Sequence, residues 1–406
     1  MPNLILFDDP VIRTALLPFT FTRPVADIRV GILTIAEKWA SRLSVTASFL
    51  TEPYLQTKYP SISGSDNVYI NGAICPTDAL TNAVKQLAMG ESLVASDGLV
   101  LALRTDQTLS FHDSLTHLAQ QTTVFDEHVP TMRYLWSLIA ANGNQISVDF
   151  ALLTAGRKSK PITDPFTHCY APENVFIEEG AVIRAATLNA EDGPIYIGRN
   201  AIISEGSILI GPCAFGEGTM VHYNSKMRKN TSAGPYCKVG GEIGNSILFG
   251  NSGKGHEGYL GDSVVGEWCN LGAGTNTSNL KNDYTTVKLH SYSTNGLVDT
   301  GRQFCGLMMG DFTKAGIGTL FNTGTVVGVN VNVFGSGLPP KYLASFSWGG
   351  AINGFTTYRL EKALQVAAEA FKRRNKEFDE VEEGILREVF RLERTRPIDA
   401  SASFDL

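Results

Sequence analysis

The residues best suited to chemistry lie in one glycine-rich stretch between positions 253 and 283. It contains His256, then Tyr259, and further along Asn270 and Asn279. A histidine imidazole titrates near neutral pH, so His256 could take the proton of an amine while that amine attacks a thioester. Backbone N–H groups at glycine-rich corners could receive the oxyanion that develops in such a reaction. The stretch is therefore compatible with acyl transfer to an amine.

Basic residues that could bind an anionic substrate occur on both sides of this stretch. They are Lys226, Arg228 and Lys229 before it, and Lys281 and Lys288 near its end. The chain has a formal net charge of -6 and a sequence pI of about 5.7. That balance argues against a general nucleic-acid or membrane-surface binder, so an anionic substrate requires a local basic patch.

Other interpretations of the same residues stay open. His256 could be a solvated loop histidine, although the polar residues that accompany it favour catalysis. Positions 253–258 also spell the dinucleotide fingerprint G-x-G-x-x-G, but no strand-to-helix context surrounds them. A metal site could use His222, His256 and His290, yet these are 34 residues apart in sequence rather than clustered. No resident metal is expected.

The element that must position these residues is a repeat of six. Every sixth position is apolar and the position four further on is nearly always small. The two series are Ile197, Ile203, Leu209, Phe215, Val221, Met227, Ala233, Val239 and Ala201, Ser207, Cys213, Thr219, Ser225, Thr231, Cys237, Ile243. A chain that turns a corner every six residues keeps this period, whereas a helix or a simple strand does not. Three steps make one coil, so the sequence predicts a parallel β-helix.

The repeat divides the chain into three parts. Residues 1–165 alternate short apolar strands with helical patterns, which predicts an α/β domain with a mainly parallel sheet. Residues 166–345 form the β-helix, whose register breaks at 246–259 and 277–303, where loops are expected. Residues 346–406 are predicted to be a helical extension and tail. The helical stretch extends from Thr356 to about Arg394 and carries an apolar residue every seventh position, and Gly384 weakens its last third, so two helices are an open alternative.

The stretch around His256 resembles the acetyltransferase half of a known bifunctional family. This is the N-acetylglucosamine-1-phosphate uridyltransferase/glucosamine-1-phosphate acetyltransferase family, including its variant from Bacteroidetes-type bacteria. The His-x-x-Tyr-Leu-Gly-Asp motif of the family matches positions 256–262, and its Asn-Ile-Gly-Ala-Gly-Thr motif matches positions 270–275. A later Asn of the family matches Asn279.

That resemblance implies a fold and a set of roles. It implies a left-handed parallel β-helix, a homotrimer, and acetyl-CoA bound between subunits. It assigns His256 as general base, Tyr259 and Asn270 to the amino-sugar phosphate, and Gly272 and Ala273 to acetyl-CoA. Asn279, Lys226 and Lys281 are further candidates for substrate binding. One departure from the family is Gly244, where a Lys is expected.

The amino-terminal domain resembles sugar-phosphate nucleotidyltransferases, because Pro18-Phe-Thr-Phe-Thr-Arg-Pro24 is similar to their signature region. The domain differs from these enzymes at the positions that bind phosphate and metal. Asp8 and Asp9 stand at the phosphate-binding glycine loop, Val25 at a signature Lys, and Ala73 at a magnesium carboxylate. A degenerate domain is therefore expected, with Mg²⁺ needed only if it is active. Arg13 and Arg23 are the candidates for holding a nucleotide phosphate.

Taken together, the sequence predicts a cytoplasmic, trimeric enzyme that transfers an acetyl or acyl group from CoA to an amino-sugar phosphate. Two alternatives stay open. The chain could be bifunctional and also make a UDP- or dTDP-sugar, or it could be a non-catalytic scaffold that binds a nucleotide sugar. Six cysteines without a C-x-x-C pair are expected to be reduced thiols. The first residues carry no basic region, so no signal peptide is expected, and no apolar run reaches membrane length, so no membrane association is expected.

Overall fold

A computed structural model describes residues 2–111, 113 and 119–396. It contains two compact units. The first comprises the chain up to Leu16, Thr20–Ile28 and Leu33–Ser137, and the second comprises Leu17–Phe19, Arg29–Ile32 and the chain from Leu138 onward. The second unit thus begins before the domain boundary predicted at residue 165.

The amino-terminal unit contains a six-stranded mixed sheet with three helices. Its strands are β1 (Asn3–Phe7), β2 (Ala47–Leu50), β3 (Asn67–Asn71), β4 (Glu91–Ala95), β5 (Val100–Thr105) and β6 (Gln121–Phe125), and its helices are α1 (Pro10–Ala15), α2 (Ile35–Leu43) and α3 (Asp78–Gln86). The strand order is β2-β1-β3-β5-β4-β6. Within the described sheet only β5 is antiparallel to its neighbours β3 and β4, and it forms a hairpin with β4. The predicted α/β class is confirmed.

Local sequence signals explain where two of these helices begin. Thr34 accepts from the Glu37 backbone N–H, and the Glu37 side chain accepts from the Thr34 N–H, which is a capping box. Thr77 caps α3 in the same way through the Leu80 N–H. Trp39 on α2 is fully buried and donates its indole N–H to the Ile74 carbonyl at 2.8 Å. The helices are thereby fixed on the sheet.

The second unit contains the predicted left-handed parallel β-helix, with three sheets as the sides of the coil. The first sheet comprises His168–Tyr170, Thr187–Asn189, Ile208–Ile210, Lys226–Met227, Glu242–Gly244 and Tyr259–Gly261. The second comprises Val175–Ile177, Ile195–Ile197, Cys213–Phe215, Thr231–Ala233, Ile247–Gly250, Val264–Glu267, Met308–Met309, Val326–Val327 and Tyr342–Leu343. The third comprises Val182–Ile183, Ile202–Ile203, Met220–Val221, Lys238–Val239, Gly253–Lys254, Asn270–Leu271, Lys314–Ala315, Asn332–Val333, Ser347–Gly350 and Gly354–Thr357.

The core of this unit is one stack of inward side chains. All eight apolar positions of the predicted hexad series from Ile197 to Val239 are buried. Ile243 is the exception to the predicted register, because it pairs with Met227 in the large apolar column. It comes sixteen residues after Met227, whereas earlier coils advance by eighteen. The expectation of a small position at Ile243 is therefore wrong, and the cause is a shortened corner at Gly240–Gly241.

The two predicted breaks in register have different structures. Residues 246–259 stay in the coil with shorter corners, so a protruding loop there is a wrong prediction. Residues 277–303 do form an insertion, because Asn270 pairs with Lys314, forty-four residues later. The insertion contains an antiparallel pair, Lys288–Ser291 with Gly296–Asp299. A short parallel pair, Asn276–Thr277 with Leu320–Phe321, continues the coil beside it.

Helix α4 (Leu135–Thr154) has no counterpart in the sequence prediction. From Leu138 onward it belongs with the β-helix, where Ile146 packs in a cluster with Ala214. Asn142 donates to the Asn230 carbonyl at 2.8 Å and accepts from the Ser232 hydroxyl at 3.0 Å. The helix has apolar residues on every side, so its sequence lacks the one-sided pattern that identifies an amphipathic helix.

The carboxy-terminal extension is two helices, α5 (Leu360–Lys372) and α6 (Glu380–Thr395), rather than one continuous helix. The predicted seven-residue seam packs on the β-helix of the same chain, where Phe371 stacks on Trp268 with ring centroids 3.9 Å apart. The predicted tail from Pro397 to Leu406 lies outside the described residues. No described helix is long and apolar enough to cross a membrane. All six cysteines are free.

Candidate active site

His256 lies at a corner of the β-helix, between the strands Gly253–Lys254 and Tyr259–Gly261. Its side chain is exposed, while its backbone carbonyl accepts a hydrogen bond from Lys254 Nζ at 2.6 Å. Gly258 has a φ of 122°, and a Cβ there would lie 2.1 Å from the Thr275 carbonyl oxygen. Only glycine fits this close approach of two coils. The corner therefore presents the imidazole on a tightly held backbone.

A second imidazole lies beside this corner. A Cβ on Gly255 would lie 3.1 Å from His222 Nε2, so the missing side chain leaves room for the ring of His222. Burial lowers the pKa of His222, and the positive charges of Lys238 and His256 lower it further. The sequence suggests a role for His222 only as a metal ligand.

The metal interpretation finds no support in the described residues. His290 lies in the inserted antiparallel pair and stacks on Tyr342, with ring centroids 3.7 Å apart. Across residues 2–111, 113 and 119–396, no group of three or more His, Cys, Asp and Glu residues is placed to hold a metal ion.

Tyr259, Asp262 and Asn279 form one polar network. Asn279 from the insertion donates to the Tyr259 hydroxyl at 3.1 Å and to Asp262 Oδ2 at 2.6 Å. Asn245 donates to the other carboxylate oxygen of Asp262 at 2.6 Å. Burial raises the pKa of Tyr259, so its hydroxyl keeps its proton at neutral pH and can donate it to a ligand. Asn245 and Asp262 thus hold Asn279, which in turn bonds to the hydroxyl of Tyr259, one of the two residues that the resemblance assigned to the sugar phosphate.

Two glycines next to this network form a slot in which the side chains of Tyr259 and Arg228 lie. Gly244 and Gly261 are paired in adjacent strands. A Cβ at Gly261 would lie 2.3 Å from the Tyr259 hydroxyl oxygen, so the tyrosine side chain lies over that glycine. A Cβ at Gly244 would lie 3.2 Å from Arg228 Cβ and 3.7 Å from its Nε. The guanidinium of Arg228 thus lies near the position where the resembled family has a Lys.

The two lysines predicted to bind substrate, Lys226 and Lys281, differ in their exposure and in the partners of their ammonium groups. Lys226 is exposed and stands in the same strand ladder as Glu242 and Tyr259. Lys281 is half-buried, donates to the Thr285 hydroxyl at 2.6 Å and pairs with Asp283 at 3.7 Å. Lys226 is therefore better placed than Lys281 to meet an incoming anion.

One corner of the coils carries Asn270, which the resemblance assigns to the sugar phosphate, followed by Gly272 and Ala273, which it assigns to acetyl-CoA. Asn270 is exposed and pairs with Gly253 in the strand below. Gly272 follows it, and a Cβ there would lie 2.7 Å from the Gly316 backbone. Ala273 is half-buried and accepts from the Gly318 N–H at 2.8 Å. Gly255 and Gly272 thus stand at successive corners along this edge of the β-helix, and we call these two corners the glycine track.

In the amino-terminal unit, Arg13 is not placed to bind a ligand. It is buried and forms an ion pair with Asp8 at 2.7 Å. Its remaining donors reach the Thr20 and Arg23 carbonyls and the Tyr54 and Thr51 hydroxyls. Asp8 also accepts from the Val25 N–H at 2.8 Å, so it does not face a phosphate site as the sequence suggested. A ligand phosphate would have to displace this network.

The other residues at positions that bind nucleotide or metal in the nucleotidyltransferases also form ion pairs or hydrogen bonds within the domain. Arg23 is buried and pairs with Asp27 at 3.5 Å. Asp9 accepts from the N–H groups of Val11 and Ile12 and caps α1. Asn71 is buried, donates to the Val100 carbonyl and accepts from the Ala73 N–H. Asn71 supplies an amide rather than a carboxylate, and both ends of that amide are already hydrogen-bonded, so it does not fit Mg²⁺, which prefers carboxylate oxygens.

Comparison with known proteins agrees with this two-part organisation. Residues 4–158 match the family model for sugar nucleotidyl transferase. The chain is 40% identical over 89 residues to the bifunctional protein GlmU of Methanocaldococcus jannaschii, a match covering 22% of this chain and 21% of that protein. It is 25% identical over 235 residues to GlmU of Trichormus variabilis, covering 56% of this chain and 48% of that protein.

A third relative is the bifunctional sugar-1-phosphate nucleotidylyltransferase/acetyltransferase of Sulfurisphaera tokodaii, 30% identical over 153 residues. That match covers 36% of this chain and 38% of the relative. The chain thus spans less than half the length of each of these three proteins. A solved UDP-N-acetylglucosamine acyltransferase from Francisella novicida overlaps 59% of this chain and 92% of its own. It has 13% identity and a TM-score of 0.21, a score too low to indicate a shared function.

The sequence matches and the motifs around His256 point to the same group of proteins. Residues 4–158 are similar to sugar nucleotidyl transferases, parts of the chain are similar to the bifunctional GlmU proteins, and the described fold continues into a left-handed parallel β-helix.

Proposed function

We propose that the β-helix catalyses CoA-dependent acetyl or acyl transfer to the amine of an amino-sugar phosphate. The observation that carries the proposal is the network that joins Tyr259, Asp262 and Asn279 beside the exposed imidazole of His256. His256, Tyr259 and Asp262 lie within seven residues of sequence, whereas Asn279 belongs to the insertion, so folding is what brings Asn279 to Tyr259 and Asp262.

The chemistry follows from the groups present. His256 takes a proton from the neutral amine as that amine attacks the thioester carbonyl. The new C–N bond forms a tetrahedral intermediate, whose oxyanion is stabilised by backbone N–H donors at the glycine corners. Collapse breaks the C–S bond and releases the CoA thiolate, which receives the proton from His256. Tyr259, Asn279 and Arg228 hold the sugar phosphate during these steps.

Acetyl-CoA is proposed to lie along the glycine track at Gly255 and Gly272, and a homotrimer is proposed to enclose it. A single β-helix presents this track on an open edge, whereas parallel copies create clefts. Exposed apolar side chains support association. On the early coils they are Tyr170, Val182, Ile202, Ile208 and Tyr223. A monomer by light scattering at micromolar concentration would contradict the intersubunit site.

The test of the acyltransferase is turnover of acetyl-CoA with glucosamine-1-phosphate, followed as free thiol release. The parallel acceptors are other amino-sugar phosphates and amino nucleotide sugars. Turnover with any of them supports the proposal and identifies the acceptor class. If CoA and nucleotide sugars bind without turnover, the chain is the non-catalytic scaffold instead.

For the amino-terminal domain we propose slow nucleotidyl transfer at most, with weak binding of a sugar phosphate or nucleotide. The internal engagement of Arg13 and Asn71 supports this, because charge neutralisation of a triphosphate needs free cations or Mg²⁺. The test is pyrophosphate release with N-acetylglucosamine-1-phosphate, Mg²⁺ and UTP or dTTP. Release at about 1–10³ s⁻¹, as in ordinary enzymes, would restore the bifunctional alternative.

A further inference from the structure

Lys254 occupies a position that is apolar in the other coils. In the strand ladder of the third sheet it pairs with Val239, which pairs with Val221 below. Leu271 of the next coil and Ala315 beyond it are also buried and apolar. Lys254 is fully buried, with a relative exposure of 0%. A lysine thus stands inside the hydrophobic prism.

Packing does not explain this lysine. Taking an ammonium group out of water costs several kcal/mol unless nearby groups satisfy it, and an aliphatic side chain of similar volume would fill the space without that cost. The ammonium is satisfied by two backbone carbonyls of adjacent coils. Lys254 Nζ donates to the His256 oxygen at 2.6 Å and to the Gly240 oxygen at 3.3 Å.

These two bonds act on the corner that carries His256. The His256 carbonyl is turned to the buried ammonium while its imidazole is exposed. The orientation of that carbonyl fixes the peptide plane between His256 and Glu257, and hence the direction of the side chain. The Glu257 carbonyl is held from the next coil by the Gly274 N–H at 3.0 Å. Lys254 supplies the matching restraint from inside the prism.

We propose that Lys254 is a positioning residue for His256, holding its backbone from the core so that the imidazole meets the substrate amine in reactive geometry. This inference rests on the proposed function of His256 as general base. A displacement of about 1 Å in a reacting group can lower a rate 100-fold, so a restraint on one peptide is sufficient to matter.

The first experiment compares kinetics of Lys254→Met with those of wild type. Methionine keeps most of the stem in the core but removes both hydrogen bonds. We expect kcat to fall about 10- to 100-fold with KM for acetyl-CoA unchanged. Leu271→Met is the matched control, because it alters the same interior column without touching the His256 carbonyl, and it should keep wild-type kcat. Lys254→Gln, whose neutral amide can still donate, should recover part of the lost rate.

A double-mutant cycle separates positioning from a general effect on the fold. In the His256→Ala background, Lys254→Met should cause no further loss of rate, because the residue it positions is absent. An equal loss in both backgrounds would overturn the proposal. So would an unchanged kcat in Lys254→Met.

The second experiment does not depend on turnover. The chain has 7 histidines, and ¹³C labelling of their Cε1 atoms allows the His256 resonance to be assigned by its loss in His256→Gln. Lys254→Met should shift or broaden that resonance and leave the exposed His168 unchanged. An unmoved His256 resonance would overturn the proposal. If wild-type protein acetylates no acceptor, the proposed function fails, while this experiment still decides whether Lys254 positions His256.

Discussion

The two regions of the molecule each bury a cation and satisfy it in different ways. In the amino-terminal unit, Arg13 meets Asp8, two carbonyls and two hydroxyls, so its charge and its donors are matched inside the domain. In the β-helix, Lys254 meets only backbone carbonyls, and one of them belongs to His256.

That difference shows that a basic or polar residue near a family signature is available to a ligand in one region and not in the other. Arg13 was a candidate for phosphate binding because of its residue type and its place near a signature, but its donors are already used. Near His256, by contrast, the side chains of Lys226, Arg228 and Asn270 are exposed. A charged residue can serve a ligand when the fold leaves part of its bonding capacity toward solvent.

The largest expected effect is at the exposed imidazole. His256→Ala should lower kcat for acetyl transfer by about two to four orders of magnitude, the usual contribution of a positioned acid or base. The melting temperature should change little, because the side chain is outside the core. His168→Ala is the control, since His168 is also exposed but lies on the first coil. Retained activity in His256→Ala would assign the imidazole another role.

The second-largest expected effect is on the stability of the amino-terminal unit, when the buried Arg13–Asp8 ion pair is broken. Arg13→Met leaves the Asp8 carboxylate without its cation in the core, which typically destabilises a domain by roughly 3–5 kcal/mol. Hydrogen exchange of peptides that contain β1 should then accelerate. Arg133→Met is the matched control, because the Arg133–Asp97 pair is on the surface and should contribute about 1 kcal/mol or less.

An opposite outcome would revive the phosphate-binding interpretation. If Arg13→Met were as stable as the surface control but bound sugar phosphate or nucleotide more weakly, its guanidinium would serve a ligand. The comparison between the two buried cations would then fail.

The buried ammonium predicts a pH-dependent stability. Burial lowers the pKa of Lys254 from 10.5 to about 8, with Glu257 opposing the shift. Between these two values the folded chain binds fewer protons than the unfolded chain, so this group makes stability rise with pH. Lys254→Met should therefore be more stable than wild type at pH 7, by on the order of 1–3 kcal/mol. Chemical denaturation should show that advantage shrinking as pH rises from 8 to 10.5, and a constant difference would contradict the assignment.

The sequence predicted the β-helix well because every coil repeats the same six-residue pattern of large apolar and small side chains. Residues Ile197 to Val239 keep large apolar side chains inside, and no distant contact is needed to specify that pattern. Ile243 was placed wrongly because a corner two residues shorter changes the register without changing composition. Helix α4 was missed because its apolar residues extend around its whole circumference.

The site was predictable only in part. His256, Tyr259 and Asn279 were identified through a motif resemblance, which no periodicity contains. Arg13 is engaged by Asp8 and Thr51, and these two residues come close together only when strands β1 and β2 pair. The inward position of Lys254 could not be predicted from its sequence neighbours, because it is a single lysine in a glycine-rich stretch. Its inward position follows from counting strand partners, and this requires the coil lengths.

The smallest expected effect is at Arg228, an exposed cation that contrasts with Arg13. Its side chain is 56% exposed and pairs with Glu242 at 3.2 Å, a surface pair that contributes little to stability. We expect Arg228→Ala to raise KM for the sugar phosphate about 5- to 10-fold with kcat and melting temperature nearly unchanged, because one screened phosphate contact contributes about 1 kcal/mol. The double variant Gly244→Lys/Arg228→Ala should recover part of this loss, since removing the arginine frees the space over residue 244. Arg199→Ala, a change at another basic residue of the β-helix, serves as the control. An unchanged KM in Arg228→Ala would show that the slot beside Tyr259 does not hold the phosphate.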